Sequence, residues 1–310
     1  MKIDRRQFLS GIGIASLLAG SSVLPGSSLW AADKPVHLRT IPISGEQIPS
    51  IGLGSWITFD VPPGEQQRRQ RCFEVIQGFL QAGGRMIDSS PMYGYAQDLI
   101  GSALQLADTP DGTFSATKVW IPGASLGEAQ MEQALDLWGL QQFDLVLVHN
   151  LVDWQSHLPW LQRWKSAGRV RYLGITTSHG RRHEDLVEVI RNQPFDFVQF
   201  TYNMADREAE RRLLPLAREY GKAVVINRPF RGGDLFRRVA GRSLPGWAGE
   251  LGCSHWAQFF LSWVISHSAV TCAIPATSNP QHLRQNMAVL RSPLPDEQQR
   301  QQMLEWFLAD

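Results

Sequence analysis

The chain has 310 residues, 43% hydrophobic and 19% charged, which supplies a large apolar core and excludes a disordered or fibrous protein. Thirty basic residues against 29 acidic leave a net charge of +1, so no general field attracts nucleic acid or an anionic membrane, and a small-molecule partner is expected. Three cysteines, Cys72, Cys253 and Cys272, are too few and odd in number for a disulfide framework and read as buried thiols.

The chain begins with Arg5 and Arg6 just ahead of Phe8 and Leu9, followed by an apolar run from Gly11 to Leu24 broken by Gly and Ser. That run is too short and too weakly apolar for a stable transmembrane span. The segment resembles a twin-arginine export signal, with cleavage after Ala31 or Ala32 in "LWAADK". The resemblance implies that residues 1–32 are a signal peptide recognised by the twin-arginine export machinery. It also implies a protein exported folded to the periplasm or another extracytoplasmic space, with no stable membrane insertion of the mature protein. Residues 33–310 are then the mature domain.

Next, "HLRTIPISGEQIPS" predicts a hairpin turning at Ser44 and Gly45, placed to plug the bottom of whatever follows. From there, β-rich runs alternate with amphipathic stretches. Strands are expected at 51–56, 85–90, 114–120, 143–150, 170–178, 195–203, 222–230 and 270–278. Their centres are nearly all apolar, as when both faces of a parallel sheet are covered. In "RRQRCFEVIQGFLQAG" Phe73, Ile76, Phe79 and Leu80 share one helical face, and "AERRLLPLAREYG" predicts a helix ending at Gly221. The long connection 231–252, rich in Gly, Arg and Pro, has the length of a lid or binding loop. "DEQQRQQMLEWFLAD" closes the chain as a further amphipathic helix packed outside. Eight βα units over about 280 residues fit a (β/α)8 TIM barrel with an N-terminal β-hairpin and an extra C-terminal helix. A Rossmann sheet is disfavoured because no GxGxxG joins the first strand to a helix.

In such a barrel the active site gathers at the C-terminal ends of the strands. Four residues there interrupt apolar runs: Asp88 closes the second strand, Tyr93 follows in its loop, Lys118 nearly ends the third and His149 nearly ends the fourth. A lysine inside "SATKVW" needs a carboxylate to offset its desolvation, and Asp88 on the neighbouring strand is the natural partner. The pair would hold positive charge beside Tyr93, lowering its pKa from about 10 toward working pH and making it a proton donor to a carbonyl oxygen. A neutral His149 would orient the same oxygen. Trp56 and Trp120, ending the first and third strands, would wall the pocket, joined by Trp154. Each residue taken singly has a plainer role as helix cap, packing or core residue. Their arrival at one rim favours the chemical reading. His179 and His183 lie four apart but lack a third ligand, so no metal is expected.

"IGLGSW", "IDSSPMYGYAQDLIG", "ATKVW" and "LVLVHN" together resemble the signature segments of the aldo/keto reductases, and the similarity runs over the whole mature chain. The resemblance implies a catalytic tetrad of Asp88, Tyr93, Lys118 and His149, reducing an aldehyde or ketone with hydride from a nicotinamide. It assigns Gln199 to the nicotinamide carboxamide, with Thr176 and Thr177 where a Ser-Asn pair is common. "INRPFRGG" replaces a Tyr-Ser-Pro-Leu segment, so Asn227 stands where an aromatic stacks on nicotinamide, and Arg228 is a planar cation able to cover the ring instead.

"IPATSNPQHLRQN" corresponds to the adenosine-phosphate segment, with Ser278, Asn279, Arg284 and Asn286 as implied contacts. Asn279 as N-cap and Pro280 at the first helical position open a helix whose free N–H groups suit a phosphate. Ala276 and His282 replace the basic pair of NADP-preferring members, and Arg284 stands in, so NADP is expected with NAD as the alternative. Arg231, Arg237, Arg238 and Arg242 are mostly expected as solvated surface, with a clamp on the cofactor pyrophosphate as the other reading. The alternatives to catalysis are a nucleotide-binding sensor or partner subunit with little turnover, and an isomerase or lyase using Lys118 as a Schiff base.

Overall fold

In the computed structural model, which describes residues 35–107 and 112–309, the expected hairpin is present. Strands β1 (Leu38–Thr40) and β2 (Gln47–Pro49) pair antiparallel, and the turn between them uses Gly45 at φ 76°, a conformation natural to glycine. Ile41 and Ile48 are fully buried against Phe114, Leu145, Tyr172 and Phe197, so the hairpin does plug the barrel floor. The twin-arginine segment lies outside the described residues.

Eight parallel strands follow, each hydrogen-bonded to the next: β3 (Leu53–Gly54), β4 (Met86–Asp88), β5 (Phe114–Val119), β6 (Phe143–Val148), β7 (Val170–Thr176), β8 (Phe197–Thr201), β9 (Ala223–Asn227) and β10 (Cys272–Ala273). The ring closes where Ile51 bridges Ala273 and Gly54 bridges Ala276, through Gly52 N–H to Ala273 O at 2.8 Å and Gly54 N–H to Pro275 O at 3.0 Å. A Cβ at Gly54 would lie 2.7 Å from the Ile274 carbonyl oxygen, so the strands can approach this closely only at glycine. All eight strands fall within the expected spans but are shorter. His149, expected inside the fourth, begins a 3-10 turn, His149–Leu151, because Asn150 adopts φ 52° and ends the ladder.

Around the barrel lie α1 (Gln66–Gln81), α2 (Ala96–Ala107), α3 (Ala124–Trp138), α4 (Trp154–Ser166), α5 (His183–Asn192), α6 (Leu213–Glu219), α7 (Asp234–Arg238), α8 (Trp256–Ser266), α9 (Pro280–Ala288) and α10 (Glu297–Leu308). Gly221 follows α6 at φ 61°, as its sequence position demanded. Helix α10 is capped by Asp296, whose carboxylate accepts from Gln299 N–H at 2.8 Å, and buries Met303, Leu304 and Phe307. Its Arg300 is buried too, donating to Trp263 O, to Ser266 Oγ at 2.8 Å and to Tyr202 Oη at 2.9 Å.

The connection 231–252 is not an open lid. It folds into α7 and a 3-10 segment, Gly246–Leu251. Arg242 lies over the Trp306 ring at 4.2 Å and donates to Trp306 O, while Arg238 lies over Phe307 at 5.0 Å. These two arginines fasten α10, which corrects the clamp reading for them. Arg231 pairs with Asp206 and Asp234, and Arg237 with Asp234. The three cysteines are free and buried, and burial raises each thiol's pKa, Cys72 to about 11. Among the described residues no helix is long and apolar enough to cross a membrane.

Candidate active site

The stretch Ile87–Tyr95 builds the centre of the site. Asp88 ends β4 in register with Ala116 of β5, which sets it beside Lys118 two residues further along. Lys118 is wholly buried, and its Nζ donates to Asp88 Oδ1 at 2.5 Å and to Ser89 O at 2.9 Å. Without those partners, an ammonium here would bear a desolvation cost of several kcal/mol. The other carboxylate oxygen accepts from Gln199 Nε2 on β8 at 3.0 Å, and Gln199 Oε1 accepts from Thr176 Oγ1 at 3.2 Å.

After Asp88 the chain turns sharply: Tyr93 N–H donates to Ser90 O at 3.0 Å, and Gly94 sits at φ 56°. A Cβ at Gly94 would fall 2.0 Å from Asp60 Oδ1, the atom that accepts from Tyr95 N–H at 3.0 Å. Only glycine fits, and the turn folds the Tyr93 ring back above Lys118, whose Nζ is 5.2 Å from the ring centroid. His149 meets Tyr93 edge to face at 6.0 Å between ring centroids, and its Nδ1 shares a 3.2 Å hydrogen bond with Ser90 Oγ. The four expected residues therefore meet at one end of the barrel.

Charge states follow from burial and neighbours. Burial pushes the Tyr93 phenol above its ordinary value; Lys118 opposes this through charge and hydrogen bonding, and the Asp88 charge adds to the rise. The expectation of a depressed phenol is therefore overturned: the ammonium limits the rise without reversing it, and Tyr93 rests protonated. For Lys118, burial acts to lower the pKa, but the Asp88 charge and its hydrogen bond to the ammonium outweigh it and keep the lysine protonated. His149 is driven down to about 3 by burial and by the Lys118 charge, so its ring is neutral, as expected.

Asp88, Tyr93 and His149 face a cavity of about 460 Å³ whose wall includes Trp56, Asn227, Arg228, Phe230 and Phe236, with Lys118 buried behind them. A second cleft of about 490 Å³ shares Phe230, Phe236 and Ala276 with it and leads to His282, Gln285 and Asn286 on α9. Asn227 donates to Thr177 O at 2.8 Å and accepts from Thr201 Oγ1 at 2.7 Å, presenting an amide where an aromatic ring is common. The Thr177 hydroxyl is buried and has no hydrogen-bond partner among the described residues. Asn279 caps α9 by accepting from Gln281 N–H at 2.8 Å, with Pro280 at the first position. Ser278 and Asn279 are exposed at that helix end, Arg284 is exposed and borders neither cavity, and Asn286 is buried in the second cleft. Arg228, at φ 50°, lies over the Trp56 ring at 5.6 Å. Trp56 is 40% exposed on the cavity wall, and Trp120, 42% exposed, stands 6.3 Å from the His149 ring just outside the cavity lining. Trp154 does not join them; it opens α4 and packs edge to face on Phe195 at 6.4 Å.

The arrangement, a buried ammonium and carboxylate beneath a phenol with a neutral imidazole beside it, coincides with a match of residues 50–302 to the profile of the aldo/keto reductase family. The chain belongs to the aldo/keto reductase family. It is thus an NAD(P)-dependent oxidoreductase on a TIM barrel. Among its relatives, the NADH-specific methylglyoxal reductase of Escherichia coli is 23% identical over 321 residues, covering 84% of this chain and 95% of that protein. An aldo/keto reductase of Synechocystis is 25% identical over 305 residues, covering 84% and 86%. The solved structure of a Klebsiella pneumoniae aldo-keto reductase in complex with NADPH has a TM-score of 0.73 at 20% identity, covering 89% of this chain and 96% of that one.

This reductase chain also fits a dinucleotide on its own geometry. The two adjacent clefts, which share Phe230, Phe236 and Ala276, extend from Tyr93 toward α9, with the Gln199 and Asn227 amides lining the first and a capped helix N-terminus near the second. Sequence reasoning missed Ser90, which holds His149, and Phe230 and Phe236, whose rings pack at 4.9 Å between the two clefts. Phe230 ends the strand expected at 222–230 and Phe236 lies in the long connection 231–252, so nothing singles them out until the fold brings their rings together. Ser90 carried a signal, since it lies within the turn between Asp88 and Tyr93.

Proposed function

We propose that this aldo/keto reductase reduces an aldehyde or ketone to an alcohol, with Tyr93 as the proton donor. The observation that carries the reading is the buried Lys118 to Asp88 pair directly beneath Tyr93 in a cavity that His149 also faces. When bound, a reduced nicotinamide supplies the hydride. Tyr93, protonated at rest, gives its proton to the carbonyl oxygen as negative charge develops there. Lys118 stabilises the phenolate left behind, and Asp88 keeps the lysine charged and in place. Neutral His149 directs the same oxygen toward Tyr93. Gln199, Asn227 and Thr177 are suited to hold a carboxamide, and the N-terminus of α9 with Asn279 a phosphate.

NADPH is the favoured cofactor and NADH the alternative. The Klebsiella structure supports the first and the Escherichia coli relative the second. Titrating the folded, signal-free protein with each nucleotide decides between them. The twin-arginine segment supports export of the folded protein with its nucleotide already bound. Replacing Arg5 and Arg6 together by lysine should leave the protein in the cytoplasm; an unaltered distribution on fractionation would refute export by that route.

The decisive variant is Tyr93→Phe. It should retain nucleotide binding and lose carbonyl reduction by roughly 10²- to 10⁴-fold. Unchanged turnover would overturn the assignment, and a wild-type protein that binds nucleotide but reduces no carbonyl would favour the sensor reading.

A further inference from the structure

Resting on the reading of this cavity as a carbonyl-reduction site, we infer that the substrate carries a carboxylate and that Arg228 is the residue that recognises it.

Arg228 differs from the paired arginines at this end of the barrel, and from Arg181, which is also without a carboxylate partner among the described residues but is exposed. Arg182, Arg207, Arg211, Arg231 and Arg237 each have a carboxylate partner. Among the described residues the Arg228 guanidinium has neither a carboxylate within ion-pair distance nor a hydrogen-bond acceptor, yet it is only partly exposed, on a cavity wall built mainly from apolar groups. Among the described residues lining that cavity the one carboxylate, Asp88, is engaged by Lys118 and Gln199. The charge of Asp206 reaches Arg228 from beyond ion-pair distance but is already paired with Arg231, and a partly desolvated cation with no direct partner favours an anionic ligand.

Its placement is restrained. The side chain leaves the end of β9 at φ 50°, a backbone conformation that favours glycine, and the site keeps an arginine there despite that strain. The guanidinium lies over Trp56, and a Cβ on Gly232 would come within 3.2 Å of its Nη2. With one face on the indole, the N–H edges of the fork are left for a carboxylate, which a guanidinium binds through two parallel hydrogen bonds. His179, also at positive φ (61°), meets Trp56 edge-on at 6.4 Å and lines the same cavity as a further hydrogen-bonding group.

The cofactor brings anions of its own, so position matters. Arg228 and Trp56 share their cavity with Tyr93 and His149 and do not line the cleft leading to α9, where the phosphate-binding helix end lies. The carbonyl molecule is held at Tyr93 in that same cavity, within the reach of Arg228, and the NADPH dissociation constant of R228Q separates the cofactor's own phosphates from it.

The test compares kcat/KM with NADPH for two carboxylated aldehydes, succinic semialdehyde and para-carboxybenzaldehyde, each against its uncharged methyl ester. The wild-type protein should prefer at least one acid over its ester. R228Q should lower that acid-to-ester ratio by about 10- to 100-fold, with R228K keeping part of it, since a point charge replaces a fork. An acid-to-ester ratio that R228Q leaves unmoved overturns the proposal while carbonyl reduction stands. An NADPH dissociation constant that rises in R228Q with the ratio unmoved assigns the arginine to the cofactor instead. Reduction of neither acids nor esters removes the underlying reading, and this inference with it.

Discussion

At the scale of single residues, the site separates a structural ion pair from the groups that move protons. Lys118 and Asp88 are both buried, so removing one strands the other. Lys118→Met alone should cost about 3–5 kcal/mol of stability, whereas Lys118→Met combined with Asp88→Asn should recover most of that and remain inactive. Denaturant melts and turnover on the same samples check both halves. The acid dependence follows from the same neighbours. His149 titrates only near about 3, and Tyr93 holds its proton past the ordinary phenol range, so kcat/KM for reduction should be flat from about pH 5 to about pH 8 and fall only as the phenol ionises in base. A limb near about 6.5 that vanishes in His149→Asn would contradict this. Sequence disclosed the four residues because each breaks an apolar run. It misjudged the sign of the phenol's shift because spacing says nothing of how deeply a ring is covered, and burial is the larger influence.

At the scale of elements, strands and helices were legible wherever burial imposes a period. The fourth strand's extent was not, because Asn150 adopts a positive φ that composition does not announce. The C-terminal helix was legible as amphipathic, but not the arginine that anchors it. Arg300 joins α10 to the carbonyl of Trp263 and the hydroxyls of Tyr202 and Ser266, and its guanidinium lies 4.5 Å over the Trp263 ring. Arg300→Ala removes these three donated bonds and the contact with the Trp263 ring, while Tyr202 Oη keeps Glu210 and Ser266 Oγ keeps Trp263 O, at about 2 kcal/mol, and the carbonyl site lies on other elements. The expected outcome is a melting temperature several degrees lower with kcat little changed. At the barrel floor, Ile48→Ala should cost about 2–5 kcal/mol, because Ile48 is fully buried in the cluster with Phe114, Leu145, Tyr172 and Phe197.

At the scale of the whole molecule, stability should depend on acid in a defined sense. His267, pushed down to about 4 by burial and then by Arg300, and His149 both stay neutral in the folded state, while the unfolded chain takes up protons near about 6.5. The unfolded state thus binds more protons below that value. Stability is greatest above about pH 6.5 and declines as pH falls toward 4. Replacing His267 by Asn should flatten roughly 2 kcal/mol of that decline, read as melting temperature against pH.

The closure of the ring between β10 and β3 rests on two isolated bridges and on glycines that no side chain can replace, whereas β5, β6 and β7 share long continuous ladders. A hoop fastened this way opens first at its clasp. Deuterium should enter the amides of Gly52 and Gly54 well before those of Leu147 or Ile175. Both clefts border this clasp at Ala276, so NADPH should retard that uptake, binding a fastener as much as delivering a reactant.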